Sequence, residues 1–140
     1  MRLLLVAAAL VIIAGLLPGS AYASLCTAPP GGRVILQSDD VDPDVFLWDS
    51  RTRLVSYTAG EWGNTRAIFA HTLLAEPGTK ALVVSCISGV AHPKFSTGDE
   101  DAIGVKVVSG PYRGRYGWVL SSDIHEPRPS DSSAVVTAPK

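Results

Sequence analysis

Charge of one sign is what this sequence most plainly lacks. Twelve basic residues stand against 13 acidic ones, a formal charge of −1. A near-neutral chain has no global electrostatic reason to seek nucleic acid or an anionic membrane. Histidine is scarce too: His71, His92 and His125 are dispersed, with no paired spacing for zinc. No glycine-rich loop leads from a strand into a helix, so the motif logic of nucleotide binding fails. The carboxylates of "GDED" (98–101) fall in a loop with no partner base, where a charge run is usually solvated. These absences give no support for catalysis. The expectation is a chain that is not an enzyme and uses no metal and no cofactor.

Long apolar runs are limited to one. After the positive charge of Arg2, Leu3 to Leu17 carries no polar side chain. Pro18-Gly19-Ser20 breaks the run and Ala21-Tyr22-Ala23 offers small residues for cleavage. This layout predicts a secretory signal peptide over 1–23. The run is shorter than the roughly 20 residues needed to span a bilayer, so no transmembrane segment is expected once it is removed. Leu25 is bulky where a lipoprotein signal would want a small residue before Cys26. The expected location is periplasmic or secreted. Without Arg2, 11 basic and 13 acidic residues remain, a charge near −2.

Cysteine is nearly absent. A mature chain of about 117 residues buries only a modest core and gains from a covalent tie. In an oxidising compartment Cys26 and Cys86 allow one intramolecular bridge. Closing a loop of about 60 residues removes on the order of 4 kcal/mol of denatured-state entropy in the chain model. The competing reading makes Cys86 a nucleophile served by His92 or His71. That needs an electropositive, partly exposed niche, whereas "ALVVSCISG" reads as a buried strand.

What is present is mainly β. "APPGG" (28–32) is a flexible or turn-rich lead-in, and "RVILQ" (33–37) is a strand candidate by β-branched content. In "SDDVDPDVFLWDS", Asp40, Asp42 and Asp44 take the first, third and fifth places of a calcium loop. The sixth place needs Gly and holds Val45, and the twelfth needs Glu and holds Arg51, which rules out an EF-hand. Val45 to Trp48 is a further strand. Ser50 to Gly60 predicts one short helix, with Ser50 as cap, Leu54, Tyr57 and Thr58 on one side, and Gly60 past its end. Glu61 to Asn64 is a turn carrying Trp62. "AIFAHTLLA" and "KALVVSCI" read as a hairpin whose Pro77-Gly78 fits the centre of a type II turn. "SGVAHPKFSTGDED" is a polar loop. Beyond Glu126, "PRPSDSSAVVTAPK" has little to bury and is expected to be a disordered tail over 127–140.

The stretch "SGPYRGRYGWV" (109–119) closes a second hairpin after "AIGVKVV". In it, Val105 and Val107 point one way, Lys106 and Val108 the other. Gly110 before Pro111 ends the ladder, and Gly114 can take the left-handed conformation of a reversal. Gly117 precedes Trp118, where a missing side chain allows a bulge or a ring lying on bare backbone. Trp118 and Leu120 are expected to re-enter the core side. A 3₁₀-type turn at 121–124 and a last short strand near His125 follow.

The run from about Ala67 to His125 resembles a bacterial SH3-like (SH3b-type) small barrel. "VKVVSG" followed by "PYRGRYGWV" and "SSDI" matches its closing hairpin at Gly110, Gly114, Gly117-Trp118-Val119 and Asp123-Ile124, and "PGT" (77–79) matches the start of its second strand. The outline is similar also to a KOW element, which acts on RNA in the cytoplasm; the export signal, the bridge and the acidic balance argue against that. The implied architecture is a small SH3-like antiparallel barrel over 67–126. An N-terminal extension over 24–66, carrying the one short helix, would pack on it.

The resemblance implies a non-catalytic module of the bacterial envelope that binds cell-wall glycan or peptide, or an envelope protein. The candidate ligand-binding residues are Tyr112, Arg113, Arg115 and Tyr116, with Trp62 or Trp48 as further aromatics. Aromatics with Arg suit saccharide or peptide surfaces. The bland alternative leaves them as solvated loop residues with locally packed rings. The functional alternative is a small secreted inhibitor or hydrolase, which would present "HPKFSTGDED" or bring two titratable groups together.

Overall fold

The computed structural model describes residues 26–39, 42–94 and 97–128. The expected signal peptide, the C-terminal tail from residue 129 onward, and Asp40 of the calcium spacing lie outside the described residues. The fold is mainly β: one curled, all-antiparallel sheet of seven strands, forming a half-barrel. The strands are β1 (Arg33–Leu36), β2 (Val45–Trp48), β3 (Thr72–Ala75), β4 (Thr79–Ala91), β5 (Glu100–Val107), β6 (Tyr116–Leu120) and β7 (Ile124–His125). Their order across the sheet is β3-β2-β6-β5-β4-β1-β7.

Each face of the sheet carries a hydrophobic cluster, and alternation sorts the side chains between them. The inner face carries Val34, Leu36, Val45, Leu47, Val83, Ile103, Val105, Val107 and Val119, which form the main core. The outer face carries a second cluster around Trp48, Ala102 and Leu54, with Phe46, Tyr57, Trp62, Trp118 and Leu120 packed on it. Leu54 comes from helix α1 (Arg51–Thr58), which Ser50 opens by accepting a hydrogen bond from Arg53 N at 3.3 Å. Gly60, at φ +78°, closes it as expected.

The Cys26–Cys86 disulfide is formed, with Cα atoms 6.1 Å apart. Beside it, buried Asp101 accepts hydrogen bonds from Thr27 N (2.7 Å), Thr27 Oγ1 (2.9 Å) and Gly89 N (3.0 Å). Gly89, at φ +62°, lies where the β4–β5 register shifts between Ile87 and Ala91. The carboxylate therefore binds the strand that carries the bridge to the segment that enters it.

Several expectations are corrected. The described residues of the expected 24–66 extension do not pack on a barrel from outside: β1 lies between β4 and β7, and β2 between β3 and β6. Even the Pro-Gly lead-in joins the sheet, since Gly31 N donates to Val83 O and Val83 N to Gly32 O, each at 2.8 Å. "AIFAHTLLA" is not one strand. Its first half belongs to helix α2 (Thr65–Ala70), because Asn64 Oδ1 accepts from Ala67 N at 2.8 Å and starts a helix there. Pro77-Gly78 does make the expected reversal, with Gly78 at φ +84° and Thr79 N donating to Glu76 O at 3.1 Å. Yet β3 and β4 do not pair. Ala75 is opposite Val45 and Thr79 opposite Leu36, so the turn is a corner between distant strands.

The tryptophan of the closing hairpin is also placed differently. Trp48 is the ring shut into the structure, at 1% exposure, while Trp118 is only half-buried. The inward positions of β6 are Gly117 and Val119, and Trp118 with Leu120 joins the outer cluster.

Candidate functional site

Register brings the site together. Within the β5–β6 hairpin, Lys106 faces Tyr116 and Gly104 faces Trp118. Lys106 Nζ stands 5.2 Å from the centre of the Tyr116 ring, a cation–π contact. Tyr116 is 61% exposed. Gly104 makes room for its neighbours: a Cβ there would collide with Ser85 Oγ and lie 3.4 Å from the tip of the Trp118 ring. On β4 the register shift between Val83 and Ser85 turns Val84 out to solvent. The result is an open groove of about 220 Å³, lined by glycine backbone at Gly104 and Gly117, with two aromatic rings along it and Ser85 and Asp49 at its sides.

Asp49 follows β2 directly, and its carboxylate is held in place. Oδ2 accepts from Arg53 Nη1 at 2.6 Å, one turn along from it, and lies 3.0 Å from His71 Nδ1. Partial burial raises the pKa of this carboxyl, but the hydrogen bonds and charges of Arg53 and His71 outweigh it and leave the pKa below the ordinary aspartate range. The groove is therefore edged by an ionised Asp49 paired with Arg53, while the Lys106 ammonium lies over the Tyr116 ring. His71 sits edge-on to Trp62 at 5.8 Å between ring centres, and Trp62 lies 5.2 Å from Trp48.

The four residues singled out in the hairpin loop part company. Tyr112 turns inward, half-buried against the main core. Tyr116 turns outward onto the groove. Arg113 and Arg115 stay exposed at the hairpin end, and neither guanidinium pairs with another described residue. The loop is a tight frame: Gly114, at φ +88°, donates to Val107 O at 2.8 Å, and Arg115 N donates to Tyr112 O at 2.9 Å. Trp48 and Trp62 belong to the outer cluster beneath α1 and line no part of the groove.

Lys106, Ser85, Gly104 and Asp49 were not among the expected site residues. Lys106 could have been found by counting back across the hairpin from Tyr116. Asp49 could not, because its place beside the hairpin depends on β2 pairing with β6 through Trp48 and Trp118.

Among the described residues, the one grouping of potential metal ligands is Cys26, Cys86 and Asp101. Both sulfurs there are consumed by the disulfide. Each histidine stands beside its own aspartate, His71 by Asp49, His92 by Asp99 at 2.6 Å, and His125 by Asp39 at 3.3 Å, the last without hydrogen-bond geometry. No protein-family model, curated protein or solved structure matches the chain at a significant level.

Proposed function

We propose that this chain is a non-catalytic, exported module of the bacterial envelope that binds peptidoglycan through the outer face of an SH3-like hairpin. One observation carries the reading: a groove lined by glycine backbone, two aromatic rings, an anchored carboxylate and a hydroxyl, with an ammonium over one of the rings. Aromatic faces give sugar rings or peptide planes large contact area at little entropic cost. Asp49 and Ser85 suit sugar hydroxyls or peptide amides. Arg113 and Arg115, whose guanidinium groups pair with no described residue at the end of the same hairpin, suit the carboxylates of stem peptides through planar two-bond pairing. The disulfide fits an oxidising compartment. No helix of the described residues is long and apolar enough to cross a membrane.

Co-sedimentation with purified cell wall tests the proposal. The parent should pellet with the wall in a salt-sensitive manner. Tyr116→Ala, and the Arg113→Ala/Arg115→Ala pair, should lose most of that binding while keeping the parent's melting temperature. A parent that stays in the supernatant at low salt, or variants that pellet as it does, would overturn the reading.

A further inference from the structure

A second cavity opens on the same outer face, lined from β2, β3, β6 and helix α1. About 170 Å³ in volume, it is walled by Phe46 and Tyr57, backed by Trp48, and edged by Asp42, Asp44 and Asp123. The geometry points to a binding site for a quaternary alkylammonium group, independent of the groove on the hairpin.

The rings do not stack on one another. Phe46 and Tyr57 stand nearly at right angles, 73° with centroids 6.3 Å apart, and Trp48 tilts 38° to Tyr57 at 5.0 Å. Trp48, 1% exposed, packs against Tyr57 and only backs the cavity, so the accessible wall is the rings of Phe46 and Tyr57 in two different planes, and the negative face of an aromatic ring attracts a cation within about 6 Å. Every ionisable side chain lining the cavity is an aspartate, apart from the Tyr57 phenol; no Lys, Arg or His lines it. Charge complementarity therefore calls for a cation.

The kind of cation follows from how the carboxylates lie. A calcium ion needs six to eight oxygens drawn onto one point, but Asp42, Asp44 and Asp123 do not converge as a ligand group. One oxygen of Asp42 accepts from Asp44 N at 3.3 Å, and one of Asp123 from Leu120 N at 3.3 Å. Their charge spreads around an apolar chamber. A bare or primary ammonium is compact and strongly hydrated, so entering an aromatic-walled space costs it water without a matching shell of oxygens. A methylated ammonium carries the same charge on an apolar surface and meets both requirements. The volume equals that of about five or six waters at ~30 Å³ each, enough for such a head group.

Titration of the full chain with tetramethylammonium chloride, followed by tryptophan fluorescence and by NMR of the Tyr57 ring, tests this, with sodium chloride at matched ionic strength as the control. Saturable binding is expected, absent with sodium chloride and absent with tert-butanol, the neutral isostere. Tyr57→Leu, which keeps apolar volume but removes a ring face, should weaken binding at least tenfold. Asp44→Asn, on a part-exposed loop residue that leaves the core intact, should weaken it severalfold. No saturation with tetramethylammonium would overturn the proposal. So would equal binding of tert-butanol, which would mark a merely apolar cleft, or equal binding of N-acetyl-lysine amide, which would mark a peptide site. Cell-wall co-sedimentation should be unchanged in Tyr57→Leu, so the two sites stand or fall separately.

Discussion

Gly117 and Leu47 claim the same volume. A Cβ placed on Gly117 would lie 2.6 Å from Leu47 Cδ1 and 3.0 Å from Trp48 O. The missing side chain on β6 is therefore what lets β2 pack against it with Leu47 pointing inward.

Gly117→Ala should accordingly destabilise the fold by about 1–3 kcal/mol, since overpacking of a closed site forces side chains or backbone to shift. Gly63→Ala is the matched control, because a Cβ there meets nothing within 4 Å; it should stay within about 0.5 kcal/mol of the parent. Urea denaturation of both variants measures the difference, and equal midpoints would contradict the packing argument.

The two paired tryptophans should separate energetically. Trp48→Ala empties a site shut off from water and should cost about 3–5 kcal/mol. Trp118→Ala should cost less, about 1–2 kcal/mol, because part of that residue stays in contact with water in the folded state. Equilibrium unfolding of each single variant decides the order. A larger loss at Trp118 would mean that the outer cluster, and not the buried ring, governs the β2–β6 junction.

Asp101 links folding to acidity. Burial by itself raises its pKa, but hydrogen bonds from Thr27 N, Gly89 N and the Thr27 and Ser88 hydroxyls outweigh that and hold it below the ordinary aspartate value. The unfolded chain, with an ordinary aspartate near pH ~3.9, then takes up the proton before the folded one does. The stabilisation is complete above that pH and disappears as the pH falls through the lower folded value. Asp101→Asn should lower stability at neutral pH by about 1–3 kcal/mol, because its amide N–H₂ would face donors where a carboxylate accepted. It should also flatten the acid side of the stability profile. Denaturation from pH 7 to pH 2 checks both, and parallel profiles for parent and variant would remove Asp101 from the account.

Features whose cause lies within a few residues were legible in the sequence. Ser50 and Gly60 bound α1, Pro77-Gly78 makes its reversal, and the glycines of 110–117 shape the β5–β6 hairpin, because caps and turns depend on local φ and nearby hydrogen bonds. The Cys26–Cys86 pairing was legible because two cysteines permit only one bridge within the chain. Of the candidate groove, Tyr116 alone was named in advance. The rest was decided by tertiary structure. Alternation along a strand says which side chains share a face but not which face is the deeper one, and here helix α1 helps to build a cluster on the outer face as well. That is why Trp48 and not Trp118 is shut in. Likewise, Asp49 reaches the hairpin, and β1 and β2 enter the sheet, through pairings between residues far apart in sequence. Those pairings are selected by the joint burial of both sheet faces, a quantity that belongs to the assembled sheet and to no single segment of the chain.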